Sequence, residues 1–227
     1  MPKLERDPNS PEILVLDLGD DENRFTYEWL GEVNAALDEA EAAEGPKALV
    51  TRARGKFFSN GLALDWLIAN PDQRPEYLGT VHNLFARVMV LPIPTVCAVQ
   101  GHCFAAGAML QLTHDFSVMR SDRGFWCLPE VNLGLKFTPG MNDLLLARMS
   151  QRTAREAMTT GRRYGGLDAR EAGIVDACAD SEEAVVEAAV QIAKPLAANA
   201  GKALGAIKTM MYESAVHSLH TSSTALG

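Results

Sequence analysis

The sequence predicts an α/β domain that ends in a helical part, on three observations. Apolar runs of strand length alternate with amphipathic helical stretches through the first 180 residues, in a recurring strand, strand, helix order without self-similar sequence. No Pro/Gly/Ser-rich linker or low-complexity stretch divides the chain. Two helical stretches, 181–198 and roughly 201–219, finish it. Residues 1–180 are therefore read as the α/β core and 181–227 as a helical part of the same domain.

Each element has its own reason. "EILVLDLG" (12–19) carries the apolar run 13–16 and reads as a strand. In 26–45, Trp29, Leu30, Val33 and Leu37 share one face, Thr26 can cap the start and Gly45 can stop the helix. "KALVTRA" (47–53) is a short buried strand, and "GKFFSNGLAL" (55–64) a glycine-punctuated loop into a short helix. "NPDQRPEY" (70–77) is a polar connection, 78–90 is helical by period, and "LPIPTVCAV" (91–99) enters a buried strand. The small residues of "GHCFAAGAMLQL" (101–112) turn into an apolar helix, with His102 in the turn and His114 at the helix end. "DFSVMRSD" (115–122) and "GFWCLPEV" (124–131) read as strands, 139–160 as helical with a break near Ser150, and 167–180 as a short helix followed by a strand.

Composition narrows the function classes. The 227 residues are 47% hydrophobic and 22% charged, ordinary values for a chain with a sizeable core. A net charge of −8 without a basic run argues against nucleic acid as a partner. No apolar run approaches the ~18 residues of a membrane span. The polar "MPKLERDPNS" start is no secretory signal, and the "TALG" end is not a peroxisomal tripeptide. Cys97, Cys103, Cys127 and Cys178 form no CxxC pair, so reduced thiols in a cytoplasmic, bacterial-type compartment are expected. His102 and His114 lack acidic or thiol partners at metal-binding spacing, and no metal site is expected.

Three stretches carry candidate chemistry. In "FFSNGLAL" (57–64), Gly61 allows a turn that leaves the Leu62 N–H unpaired, although taken alone an ordinary strand-to-helix turn explains it better. In "GHCFAAGAML" (101–110), the helix start offers orphan N–H groups, while Ala105, Ala106, Gly107 and Ala108 would also suit tight helix–sheet packing. In "CLPEVNLGL" (127–135), Glu130 stands before an apolar stretch, where most carboxylates are simply exposed.

In order and spacing these stretches resemble the crotonase superfamily, also called the enoyl-CoA hydratase/isomerase family, over about residues 12–210. "FFSNGLAL" and "AVQGHCFAAGAMLQLTHDF" look like its two oxyanion-hole segments, "LPEVNLGL" like the segment with its catalytic glutamate, and "TGRRYGGLDAREAGIVD" like a fourth family segment. The resemblance implies a ClpP-like spiral of ββα turns with a C-terminal helical trimerisation region, a homotrimer or dimer of trimers, and an acyl-coenzyme A thioester as substrate, with no cofactor. It assigns the oxyanion donors to the Leu62 and Ala106 N–H groups and the acid–base role to Glu130. Substrate contacts are expected from Ser59, Asn60, Gly61, Leu64, Ala105, Gly107 and Met109, and Lys56 or Arg54 would meet the coenzyme A phosphates, although solvated charges on a strand end explain each at least as well. Ser59 has no histidine partner and is not read as a nucleophile.

One absence chooses the reaction. Hydratases of the family carry a second glutamate three residues after the second donor, where this chain has Met109. Dienoyl-CoA isomerases carry an acid eight residues after the retained glutamate, where this chain has Thr138. A Δ3,Δ2-enoyl-CoA isomerase needs one carboxylate, and the chain is most similar to that branch, known from plant peroxisomes, through "GDDENRF" and "HDFSVMRSDRGFWCLPEV". The alternatives are another enolate-forming acyl-CoA enzyme (hydratase, thioesterase or decarboxylase) and a non-catalytic acyl-CoA-binding subunit.

Overall fold

A computed structural model describes residues 1–222; the C-terminal tripeptide read above lies outside them. Strands β1 (Lys3–Asp7) and β2 (Ser10–Asp17) form a hairpin, followed by helix α1 (Tyr27–Ala42). Then come β3 (Ala48–Arg52), β4 (Phe57–Ser59), α2 (Leu64–Ala69) and, after a 3-10 turn, α3 (Arg74–Met89). The next turn of chain is β5 (Thr95–Val99), β6 (His102–Phe104) and α4 (Ala106–Leu112). The one after is β7 (Phe116–Arg120), β8 (Trp126–Cys127) and α5 (Glu130–Leu133). Helices α6 (Pro139–Arg148), α7 (Gln151–Thr160) and α8 (Gly166–Glu171) lead to β9 (Ala177–Ala179), α9 (Glu182–Ala193) and α10 (Lys202–Thr221).

Each ββα turn gives its first strand to one sheet and its second to another. The large sheet has the order β1-β2-β3-β5-β7-β9, and the small one β4-β6-β8. All pairings are parallel except β1 with β2. Alternation along the large sheet fills two cores, which is why its strands are apolar runs. Leu14, Leu16, Leu49, Cys97 and Met119 face the major core with α1, α3, α4 and α6. Ile13, Val15, Val50, Val96, Ala98 and Val118 face Val185, Ala189, Val190 and Ala193 of α9. Helix α10 packs on α3 and α6. The buried Lys208 ammonium of α10 meets the Asp115 carboxylate before β7 at 2.6 Å and donates to the Ile93 carbonyl before β5 at 2.9 Å.

Caps set several boundaries. Thr26 Oγ1 accepts from the Trp29 N–H at 3.1 Å, and α1 stops at Ala42, before Gly45. Ser150 accepts from the Thr153 N–H and starts α7, the break expected inside 139–160. Five expectations change. The loop expected over 55–64 holds the three-residue strand β4, because its residues 57–59 pair in parallel with β6. The strand expected over 124–131 is only two residues long, because Pro129 has no N–H for a ladder and α5 begins at Glu130. The turn after Gly101 holds a strand of its own, so His102 lies in β6. The helix expected from residue 78 starts at Arg74, since Pro75 is tolerated in a first turn. The polar "KLERD" is an edge strand that alternation did not reveal.

Candidate active site

The small sheet gathers the three stretches. Ser59 pairs with Cys103, and Phe104 with Cys127, in parallel register. The turns after β4, β6 and β8 therefore leave the same end of the sheet, and these turns carry Leu62, Ala106 and Glu130.

The first turn is pinned on both sides of Leu62. Asn60 N–H donates to the Glu22 carbonyl at 2.8 Å, and Gly61 N–H to Ser59 Oγ at 3.1 Å. Ala63 N–H donates to the Tyr77 hydroxyl at 3.1 Å, and Leu64 N–H to the Leu62 carbonyl at 2.9 Å. Gly61 has φ +81°, and a Cβ there would stand 3.0 Å from the Ala106 nitrogen, so only glycine lets the two turns come this close. Leu62 N–H has no acceptor among the described residues.

The second turn reaches a similar result through strain. Ala105 adopts φ 50°, ψ −122°, a conformation unusual for a residue with a Cβ. Its N–H donates to the Cys127 carbonyl at 3.0 Å, and its carbonyl accepts from Met109 N–H at 3.1 Å. The kink opens α4, and Ala106 N–H likewise finds no acceptor among the described residues. Gly107 completes the close approach: a Cβ there would lie 2.7 Å from both Cβ and O of Ser59.

Both N–H-bearing residues line a cavity of about 550 Å³ with Glu130, Met109, Asn60 and Leu64. Leu67, Phe104, Leu133, Leu135 and Met141 make most of the rest apolar. Glu130 is the one acid among the described lining residues. Its side chain is 7% exposed, and Oε2 has no hydrogen-bond partner. Burial pushes its carboxyl from an ordinary 4.5 up to about 7, while its own backbone N–H pulls weakly the other way. A carboxylic acid that titrates near neutrality inside an apolar cavity can both take and return a proton.

The remaining expected residues separate. Asn60, Leu64, Ala105 and Met109 line the cavity, with Gly61 just behind it. Ser59 is fully buried and bonded within the fold, and Gly107 packs on it. Lys56 lies outside the cavity with its ammonium 5.1 Å from the Phe57 ring centroid, and Arg54 faces Asp17 at 3.3 Å. The basic residues that do line the cavity are Arg24, Arg74 and Lys136. They stand in polar stretches whose charges carry no positional signal. His114 is buried, bonded to the Leu110 carbonyl and Thr51 Oγ1, and burial lowers its pKa to about 4. Thr138 caps α6 and bonds His82.

Comparison with known proteins matches this geometry to a family. The model of the enoyl-CoA hydratase/isomerase family matches residues 10–225. The chain belongs to that family. A peroxisomal enoyl-CoA delta isomerase 2 of Arabidopsis thaliana is 34% identical over 213 residues, covering 88% of this chain and 89% of the plant protein. Among solved structures, the human mitochondrial delta3-delta2-enoyl-CoA isomerase superposes with a TM-score of 0.87 at 26% identity, covering 97% of this chain and 86% of that one. An enoyl-CoA isomerase of Mycobacterium tuberculosis gives 0.86 at 26% identity, covering 96% and 93%. The fold is thus the crotonase spiral.

Proposed function

We propose that the protein moves the double bond of a 3-enoyl-CoA to the 2-position. The thioester oxygen accepts from the Leu62 and Ala106 N–H groups. The Glu130 carboxylate removes a proton from C2, the electron pair forms the C1–C2 double bond of a dienolate, and the negative charge gathers on the thioester oxygen. Two fixed donors stabilise that oxygen more than the ground-state carbonyl. The Glu130 carboxylic acid then protonates C4, the remaining double bond lies between C2 and C3, and the carbonyl re-forms. No cofactor takes part.

The observation that carries this reading is the single buried carboxylate, its Oε2 without a partner, in a cavity lined also by the two residues whose backbone N–H groups find no acceptor among the described residues. Hydration needs water held and protonated across a double bond, and Met109 supplies neither function. The names of the plant and human relatives agree with isomerisation. Arg24, Arg74 and Lys136 at the cavity suit the coenzyme A phosphates. Exposed Ile207, Met210 and Met211 of α10, with Phe116, support assembly as a homotrimer or dimer of trimers. Among the described residues no helix is long and apolar enough to cross a membrane. Four unpaired cysteines support a reducing, cytoplasm-like compartment. The test is an absorbance assay of the wild-type protein on 3-enoyl-CoA and, separately, on 2-enoyl-CoA. Isomerisation of the first with little hydration of the second is expected; efficient hydration without isomerisation would overturn the proposal.

A further inference from the structure

We infer that Ser59 and Tyr77 are positioning residues that hold the Leu62 N–H on its target, a role that rests on the reaction proposed above. A backbone donor acts on a developing oxyanion only if its direction is fixed before the charge appears. Leu62 lies in a turn whose direction is set by the peptides on either side, and a different side chain grips each of them. Ser59 Oγ accepts from Gly61 N–H at 3.1 Å and donates to the Asn23 carbonyl at 2.7 Å. The Tyr77 hydroxyl accepts from Ala63 N–H at 3.1 Å and donates to the Phe25 carbonyl at 2.5 Å. Phe25 N–H in turn donates to the Gly61 carbonyl at 2.9 Å. Both hydroxyls thus tie the turn to the segment 23–25 and leave Leu62 N–H as the amide without an acceptor.

The two residues are built for this role. Ser59 is fully buried and Tyr77 is 1% exposed, so neither hydroxyl exchanges its partners for water. Asn23 sits at φ 48° and sends its side-chain amide to the Phe58 carbonyl at 3.0 Å, which fixes the strand that delivers Ser59. Ser59 also packs on Gly107 at the start of α4, so one residue sets the first donor and spaces it from the second. The Tyr77 ring is held by Trp66 at 5.3 Å and Tyr27 at 5.6 Å between centroids. Tyr77→Phe therefore keeps the packing and deletes only the hydroxyl bridge.

The experiment compares Tyr77→Phe, Ser59→Ala and the packing control Tyr27→Phe with wild type. It measures kcat and KM on 3-enoyl-CoA and the infrared carbonyl frequency of bound 2-enoyl-CoA. Tyr77→Phe and Ser59→Ala should each lower kcat about tenfold to a hundredfold, less than the roughly 10²- to 10³-fold cost of removing an oxyanion donor outright, with KM nearly unchanged. The thioester carbonyl band should move back toward its frequency in water. Tyr27→Phe should leave both readouts at wild-type values. Wild-type kcat and carbonyl frequency in both variants would overturn the positioning role. A wild-type protein that binds 2-enoyl-CoA without shifting the band would instead remove the oxyanion-hole reading beneath it. If Ser59→Ala does not fold, Tyr77→Phe alone decides.

Discussion

Replacing Glu130 by Gln removes the charge and almost none of the shape, so it tests both the burial and the chemistry. The carboxyl has an ordinary pKa of 4.5 in the unfolded chain and about 7 in the folded one, because burial disfavours its charged form. A raised carboxylate pKa means that the native state holds its proton longer than the unfolded state. Wild-type stability therefore falls as pH rises from about 4.5 to about 7 and is level above that window. At about 1.4 kcal/mol per pH unit, the full cost approaches ~3 kcal/mol at pH 8, whereas at pH 5 it is only ~1 kcal/mol. Gln does not titrate. Urea unfolding of both proteins at both pH values should show the variant gaining roughly 2–3 kcal/mol on wild type between pH 5 and pH 8. Any cost of burying the amide cancels in that difference. Turnover should fall about 10²- to 10⁴-fold, and wild-type kcat/KM should rise with pH to a plateau above about 7, as the base form fills. Equal pH dependence of stability in the two proteins would refute the desolvated carboxylate, and near-wild-type turnover of Glu130→Gln would refute the proton shuttle.

Met109 is 1% exposed and lines the cavity; Met109→Glu should lower isomerase turnover and raise the hydration-to-isomerisation ratio on parallel substrates, unless the new acid stays protonated, which a pH series of that ratio would reveal. Gly107→Ala puts a methyl 2.7 Å from Ser59 backbone and side chain; overpacking should cost about 1–3 kcal/mol in urea unfolding and lower kcat with it. Lys208→Met leaves the Asp115 carboxylate without its buried ammonium; chemical denaturation should show a loss of about 3 kcal/mol, with turnover unchanged at temperatures where the variant stays folded.

The sequence displayed the site through what its residues lack. Gly61, Gly107 and the alanines around them are visible because a backbone that must approach another backbone excludes larger side chains. Glu130 was visible only by its motif, since "LPEV" looks like an exposed segment and its burial depends on chain that returns from elsewhere. Lys56 is in sequence a charge beside a motif, yet its ammonium lies over the Phe57 ring and outside the cavity. Local patterning likewise found Thr26 as a cap and a break near Ser150, but not β1, β4 or β6. β1 offers only Leu4 to the core, and β4 and β6 spend only three residues each in a sheet.

The hydroxyl contacts that aim the site share one physical property, which is sequence distance. The Tyr77 hydroxyl reaches Phe25 across 52 positions, and Ser59 reaches Asn23 across 36. Tyr77 reads in sequence as the end of a polar connection, and even on a helix periodicity reports which way a side chain faces and not what its polar end meets. A backbone N–H has no residue-type signature at all. A site built from two such groups is legible through the small residues that expose it, whereas the side chains that aim it emerge only once the spiral brings segments 23–25, 59–63 and 77 together.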